Sequence, residues 1–172
     1  MQYIIQHKSF LPQNILYGFL GQHPEITIHR YRDHKDAEKN RNIILKDFGG
    51  HHSSISLLKQ MHGVDCVKIK SFDDIDYNNE ADAQITNNHN IILAMHTADC
   101  VPILLVDENA KIVATAHAGW KGALAGVVDS TLRKMCKAGA DIDNIVAIIG
   151  PCIRQNSYEV DEEFINQFLL CI

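Results

Sequence analysis

The stretch IILAMHTADCVPILLVDENAKIVATAHAGW, residues 91–120, decides the fold of this chain. Its three apolar runs, at residues 91–97, 102–106 and 112–117, show little alternation and predict three buried strands. A turn is expected at residues 107–109, between the second and third runs. The ends of these strands are therefore expected to lie close to one another.

A helix is predicted to follow the third run directly. Beyond Gly119, apolar side chains recur at helical spacing, and the intervening positions are polar or charged. Gly139 is predicted to end this helix. Its apolar face comprises Leu124, Val127, Val128, Leu132 and Met135.

The other predicted elements are shorter and do not alternate regularly. A helix is expected at residues 36–47, and another beginning at residue 162. Because strands outnumber helices, the predicted class is α+β rather than α/β. The further strands are predicted at residues 55–60, 64–69, 83–86 and 145–149, the last of them buried.

The bulk composition is that of an ordinary globular protein. The 172 residues suffice for one domain with a sizeable core, and the formal net charge of -5 comes without a basic stripe. This charge pattern argues against a nucleic-acid partner. No signal peptide or membrane-spanning run is indicated. Five cysteines, an odd number, predict free thiols in a reducing cytoplasm.

Three candidate metal ligands stand near the predicted strands. Cys100 lies in the segment TADC, His117 lies in HAGW, and His62 lies upstream in QMHG. One thiolate and two imidazoles suit zinc or copper, and three ligands leave a position open for water or substrate. The sequence therefore predicts a catalytic metal site, at which the ion would lower the pKa of a bound water.

Each of these residues also has an ordinary interpretation. Cys100 could be a buried free thiol, His117 a hydrogen-bonded core histidine, and His62 an exposed turn residue. His96 competes as a ligand, but the strand is expected to end between it and Cys100, so that the two side chains would face apart.

The predicted helix start at Gly119 adds a second feature. Backbone amides at a helix start attract anions, and Lys121 lies in that first turn. One interpretation is a phosphate beside the imidazole of His117. The other is that Lys121 is an exposed surface charge.

Six short segments together resemble one family in order and approximate spacing. They are QMHG (60–63), ADA (81–83), TADCVP (97–102), HAGWKG (117–122), IGPCI (149–153) and YEV (158–160). The family that they resemble is the laccase-domain purine nucleoside phosphorylases, also known as polyphenol oxidases. Each segment is ordinary alone, but six in order are specific, and the resemblance covers residues 36–164.

The resemblance implies a mixed β-sandwich flanked by helices, with one zinc or copper ion held by His62, Cys100 and His117. It also implies a role for an arginine upstream of the first histidine, which here is Arg41. A guanidinium is a forked donor suited to phosphate or ribose. The implied substrates are a purine nucleoside and phosphate. The implied reactions are phosphorolysis of adenosine, inosine and methylthioadenosine, and deamination of adenosine.

Two departures from the family pattern matter. The family usually has arginine at the position of Lys121 and often threonine at that of Ala123; lysine keeps the charge but lacks the planar fork. Family members also continue beyond the last residues of this chain. Residues 1–172 are therefore expected to form a single laccase-domain-like unit without the family's C-terminal segment.

The two implied reactions make different demands on the residues. In deamination, a water activated by the metal would attack the purine carbon that bears the amine, and Asp99 would shuttle the proton. Asp99 could equally be a turn or cap residue. In phosphorolysis, Arg41 and Lys121 would place phosphate against the sugar carbon.

Three other functions are compatible with the same residues. Cys100 could be the nucleophile of a metal-free thiol hydrolase, with His117 as its base. The chain could be a copper polyphenol oxidase, although oxygen chemistry of that kind usually takes several copper ions and this site would hold one. It could also be a non-catalytic remnant that binds a partner. The sequence leaves the preferred nucleoside, the native metal and the oligomeric state open.

Overall fold

The computed structural model describes residues 3–5, 15–21, 41–42, 44–45 and 54–169. Its helices are α1 (Trp120–Ala125), α2 (Val127–Lys137) and α3 (Glu162–Leu169). Its strands are β1 (Tyr3–Ile5), β2 (Phe19–Leu20), β3 (Ser54–Ser56), β4 (Cys66–Lys68), β5 (Ala83–Thr86), β6 (Ile91–Leu93), β7 (Val101–Asp107), β8 (Ile112–Ala118) and β9 (Val146–Ile149).

A five-stranded mixed sheet forms the centre of the fold, in the order β4-β5-β8-β7-β9. Strands β4 and β5 run parallel, and the other neighbours are antiparallel. Beside this sheet, β3 and β6 form a parallel pair, while β1 and β2 form an antiparallel one. Mixed sheets accompanied by a few helices confirm the predicted α+β class.

Helix α2 covers one face of the central sheet. Its fully buried residues, Val127, Thr131 and Met135, recur every four positions and so lie along one stripe. The sheet meets this stripe with small side chains, which allow a close approach. These are Ala83, Ala114, Ala116 and Ala118.

The single helix predicted after Gly119 is two helices. Gly126 adopts φ +90°, the left-handed conformation that favours glycine, and its amide bonds back to the carbonyl of Ala123. Helix α1 therefore ends after six residues, and α2 starts in a new direction.

The prediction of a buried strand at residues 145–149 is wrong in one respect. Strand β9 forms there, but among the described residues it is the edge of the central sheet and its one partner is β7. The side chains of Val146 and Ile149 are 41% and 65% exposed. An apolar run predicts a strand, but whether another layer covers that strand is a property of the whole fold.

Three other predicted strands are shorter in the structure, and the one at residues 64–69 is a strand only over Cys66–Lys68. The run at residues 91–97 is a strand only to Leu93, because beyond it the backbone of His96 exchanges two hydrogen bonds with the side chain of Gln60. The run at residues 55–60 pairs with β6 only over Ser54–Ser56. The predicted helix at 36–47 is helical at residues 41, 42, 44 and 45, and the rest of it lies outside the described residues.

A buried glutamine joins the central sheet to the β3–β6 pair. The side chain of Gln84 on β5 accepts a hydrogen bond from the Ser56 hydroxyl and donates to the carbonyls of Ser56 and Ala94, at 2.7 to 3.1 Å. A fully paired buried amide of this kind costs little and fixes the strand register.

Within the described ranges, no helix is both long and apolar enough to cross a membrane.

The carboxylate of Asp107 closes the β7–β8 hairpin and ties it to the segment after α2. Its Oδ1 accepts from the amide of Ala110 at 3.0 Å, and its Oδ2 accepts from the amide of Asp141 at 2.8 Å. These two amides, with that of Asn109, outweigh the opposing effect of burial and hold the pKa of Asp107 below its usual value of 3.8.

Replacing this carboxylate tests its contribution to stability. Because the folded pKa is depressed, the contribution is present above the ordinary pKa and is lost as the pH falls through the folded pKa. We expect Asp107→Asn to lower the free energy of unfolding at neutral pH, since an amide offers only one acceptor to two donors. The variant should also lose less stability than the parent below pH 3.8. Urea unfolding at a series of pH values measures both effects.

The matched control is Glu108→Gln, which removes the same charge from the exposed neighbouring position. Identical pH profiles for the two variants would show that Asp107 contributes only through net charge.

Candidate metal centre

The three predicted ligands converge in the structure. The candidate ligand atoms of His62, Cys100 and His117 all lie within 4.8 Å of one another. The two imidazole rings meet edge to face, with centroids 4.9 Å apart. His117 is buried, Cys100 is half-buried and His62 is exposed, so the group is open on one side.

The β7–β8 hairpin brings Cys100 and His117 together. His117 pairs with Pro102 across the hairpin, and Cys100 directly precedes β7. The hydroxyl of Thr97 donates to the carbonyl of Cys100 and closes the TADC turn. His62 comes from the loop before β4, far from the hairpin in sequence, and needs a separate means of positioning.

Asp82 provides that means. This residue is only 3% exposed, and its carboxylate accepts four hydrogen bonds, two on each oxygen. Oδ1 accepts from the amide of His62 and pairs with Nδ1 of His117, both at 2.9 Å. Oδ2 accepts from the amides of Met61 at 3.0 Å and Gly63 at 2.7 Å. One carboxylate therefore fixes the backbone that carries one ligand and the ring of another.

The four donors determine the charge state of Asp82. Burial alone would raise its pKa, but the hydrogen bonds from His117 and from the amides of Gly63, His62 and Met61 lower it below the usual value. An ionised carboxylate at Nδ1 favours the tautomer of His117 that leaves Nε2 unprotonated. That tautomer is the one that can bind a metal ion.

The loop that carries His62 adopts an uncommon backbone conformation. His62 has φ +62°, in the left-handed region that few non-glycine residues adopt. Three successive amides turned toward one carboxylate form an anion-binding nest, which compensates the conformational cost.

Two glycines of the HAGWKG segment make room for the ligands. A Cβ atom at Gly119 would stand 2.6 Å from Cδ2 of His62 and 3.2 Å from Sγ of Cys100. A Cβ atom at Gly122 would stand 2.7 Å from the carbonyl oxygen of Gly63. The start of α1 therefore lies against the ligand loop because both positions lack side chains.

The surroundings of the Cys100 thiol disfavour its ionisation. Burial, followed by the carboxylates of Asp99 and Asp82, raises its pKa above the ordinary value. The same carboxylates would favour a bound cation at this position.

The other predicted site residues lie outside the group formed by His62, Cys100 and His117. Asp99 is exposed and directly precedes Cys100. Lys121 is exposed, with its ammonium 5.4 Å from the centroid of the Trp120 ring. The guanidinium of Arg41 lies 5.1 Å from the centroid of the Tyr77 ring. Among the described residues, the polar and ring contacts of Arg41 do not include the three ligand candidates.

The donor set fits a metal ion. A tetrahedral zinc site with ordinary bond lengths places its donor atoms about 3.3–3.8 Å apart. The three donor atoms here lie within 4.8 Å of one another, so they need to move only slightly closer together to bind one ion. The exposed ring of His62 is free of packing on one side and can supply that movement. The hydrogen bond from Nδ1 of His117 to Asp82 is the usual support of a metal-binding imidazole.

Within the described residues, fold and site together define an α+β protein with a candidate metal site of His–Cys–His type at the end of a mixed sheet. The chain belongs to the family described as multi-copper polyphenol oxidoreductase laccase, whose profile matches residues 22–171. This confirms the resemblance found in the sequence.

Individual relatives agree with this assignment. The chain is 38% identical over 145 residues to a purine nucleoside phosphorylase of Rickettsia conorii, covering 79% of this chain and 59% of that protein. It is 44% identical over 87 residues to adenosine deaminase RL5 of an unknown prokaryotic organism, covering 51% and 33% respectively. The crystal structure of YlmD from Geobacillus stearothermophilus superposes with a TM-score of 0.71 at 26% identity, covering 83% and 56%. The chain thus matches about a third of the length of RL5 and little more than half the length of the other two relatives.

Removing the charge of Asp82 tests its supporting role. We expect Asp82→Asn to weaken zinc binding roughly 10- to 100-fold, the usual effect of losing such a partner. In either orientation, the amide would present its NH2 group to two hydrogen-bond donors. Competition with a chromophoric chelator measures the affinity.

The control for this change is Asp65→Asn, which removes the same charge from an exposed side chain nearby. Equal zinc affinities for the two variants would contradict the role given to Asp82.

The glycine at the ligand group can be tested separately. We expect Gly119→Ala to lose stoichiometric zinc binding, because the new methyl group would displace the ring of His62. The fold should persist, since Gly119 has φ −68°, which alanine adopts readily. Elemental analysis and circular dichroism measure the two properties.

Gly63→Ala is the matched control, because its methyl group would meet Oδ2 of Asp82 at 3.6 Å, an ordinary contact. Full zinc occupancy in Gly119→Ala would show that the ligand group tolerates the added atom.

Proposed function

We propose that this protein is a metal-dependent purine nucleoside enzyme that cleaves purine nucleosides with phosphate and deaminates adenosine. The proposal includes zinc or copper as the ion, a cytoplasmic location, and one folded unit for residues 1–172. The names of the relatives, purine nucleoside phosphorylase and adenosine deaminase, support the substrate class.

The observation that carries the proposal is the convergence of His62, Cys100 and His117 on one open point. An ion held there would supply Lewis acidity. A site that is buried on the His117 side and exposed on the His62 side can hold the ion firmly and still admit a substrate. These features are typical of a catalytic rather than a structural metal site.

The residues around this point have distinct roles in the proposal. Asp82 orients the ring of His117 and remains ionised throughout. Asp99 is exposed beside Cys100, and its carboxylate can move a proton to the departing amine nitrogen of adenosine. Its exposure allows exchange of that proton with solvent between turnovers.

Phosphorolysis requires cations that hold phosphate against the sugar. Lys121 lies two residues after Gly119, which lines the ligand group, and its exposed ammonium can neutralise phosphate. Arg41 is the second candidate; its stacking on Tyr77 would keep its forked donors oriented. Helix α1 has only six residues, so charge on these side chains matters more than the helix dipole.

The metal-free thiol mechanism uses some of the same residues. Cys100, His117 and Asp82 form a chain that resembles a Cys–His–Asp triad. A thiol nucleophile would have no need of His62, however, and the structure brings that third donor to the group at the expense of an uncommon backbone conformation. The third donor favours a metal ion.

An oxidase of phenols is less well supported, although the family description refers to such enzymes. Oxygen chemistry of that kind commonly uses several copper ions. The described part of the chain offers one group of three candidate ligands.

Activity with inosine and phosphate tests the proposal. We expect the zinc-loaded protein to release hypoxanthine and ribose 1-phosphate. We expect Lys121→Ala to raise the KM for phosphate about tenfold, the equivalent of one lost charge-assisted contact of ~1.4 kcal/mol. Coupled spectrophotometry at varied phosphate concentration measures this.

Lys137→Ala, at the last residue of α2, is the matched control. Absence of ribose 1-phosphate at every zinc and copper loading would refute phosphorolysis. Conversion of adenosine to inosine without phosphate would test deamination independently.

A further inference from the structure

A second cysteine lies opposite Cys100 across the central sheet. Strands β7 and β9 are antiparallel, with Ile103 paired to Ile149. Two hydrogen bonds extend this alignment beyond the strands: the amide of Gly150 donates to the carbonyl of Pro102 at 2.9 Å, and the amide of Ile153 donates to that of Asp99 at 3.0 Å. These two bonds are three residues apart, whereas the bonds of a regular antiparallel ladder recur every second residue, so the ladder is interrupted between them. The interruption contains two residues on each segment, Cys100 and Val101 on one and Pro151 and Cys152 on the other. The equal number of residues makes Cys152 the counterpart of Cys100 in the alignment.

The two flanking hydrogen bonds restrict the distance between the cysteines. A regular antiparallel pair has Cα atoms about 4.5–5.5 Å apart, and the hydrogen bonds on either side of the two cysteines keep the two segments near that spacing. A disulfide requires Cα atoms about 4.4–6.8 Å apart. Residue 151 is proline and donates no hydrogen bond, so the backbone at Cys152 is not held by a continuous ladder and can adjust.

Both thiols are free and partly accessible. Cys100 and Cys152 are half-buried, and neither forms a disulfide in the structure. Cys66, in contrast, is buried beneath α2. Cys136 is exposed on α2. Among the described cysteines, the pair at the ligand group combines opposition across the strands with solvent access.

We propose that Cys100 and Cys152 form a redox pair, and that their disulfide excludes the metal ion. The sulfur of Cys100 cannot be a thiolate ligand while it is bonded to a second sulfur. Oxidation would therefore convert the His–Cys–His group into two imidazoles without a thiolate. The second half of this proposal rests on the proposed metal site, whereas the first half does not.

The oxidant in this proposal is a small disulfide such as oxidised glutathione. The thiolate of either cysteine attacks one sulfur of oxidised glutathione and releases one glutathione thiolate, which leaves a mixed disulfide. The thiolate of the other cysteine then attacks the protein sulfur of that mixed disulfide and releases the second glutathione thiolate. The two protons of the protein thiols end on the two glutathione molecules, so two cysteines are oxidised and one disulfide is reduced.

The first test uses the metal-free full chain and oxidised glutathione. After the remaining thiols are alkylated, trypsin should give residues 71–111 joined by a disulfide to residues 138–154, as identified by mass spectrometry. Modification of Cys136 without this linked pair would overturn the proposal, whatever the outcome for metal binding. This arm needs no variant and does not depend on the proposed function.

The second test uses the zinc-loaded chain under the same oxidant. We expect zinc release to parallel formation of the linked pair, and addition of a dithiol reductant to restore zinc binding. Cys152→Ser should release zinc more slowly, because its mixed disulfide is reversed by free glutathione thiolate. Cys136→Ser is the control and should behave as the parent.

The outcomes separate the two proposals. A linked pair that forms while zinc stays bound would overturn the exclusion of the metal. A linked pair in a protein that never binds zinc or copper would support the redox pair and refute the metal-dependent function.

Discussion

The buried carboxylate of Asp82 is the constraint on which the rest of the site depends. Burying a charge is costly unless it is fully paired, and here each oxygen accepts two hydrogen bonds. These bonds come from two segments that are far apart in the chain, the loop at residues 61–63 and strand β8. The electrostatic requirement of one side chain therefore determines where two of the three candidate ligands stand.

The remaining geometry follows from how the sheet and helix surround this carboxylate. The β7–β8 hairpin brings Cys100 beside His117, and α1 begins immediately after β8, against the ligand loop. The ligand group is thus held by a strand, a hairpin end and a clamped loop. His117 lies on strand β8, and Cys100 directly precedes strand β7. Sites built on strands or helices keep their geometry better than sites built on loops.

The sequence predicted the parts of this arrangement that local patterns encode. The hairpin was predictable because two apolar runs flank a short acidic turn, and the ligand candidates were predictable because thiol and imidazole groups stand at strand ends. No local pattern marks Asp82 as a site residue, although it lies in the ADA segment of the family pattern. Its partners are mostly backbone amides, which have no signature in the residue types.

Two other differences between the predicted and the observed elements also arise because residue types do not encode the assembled fold. The break at Gly126 depends on a left-handed backbone angle, and a glycine at a helical position does not reveal which angle it adopts. The exposure of β9 depends on what covers the sheet, whereas its residues alone suggested burial. Patterns in sequence report local preference, while coverage and long-range pairing are decided by the assembled fold.

The glycines at positions 119 and 122 restrict how this site can change during evolution. Even one added carbon at these positions would collide with a ligand or with the ligand loop. Neither position can therefore accept a side chain without moving the ligand group. Adaptation to a new substrate must therefore come from outer positions such as Met61, whose side chain is exposed. We expect distant relatives to differ at these exposed positions and to keep glycine at positions 119 and 122.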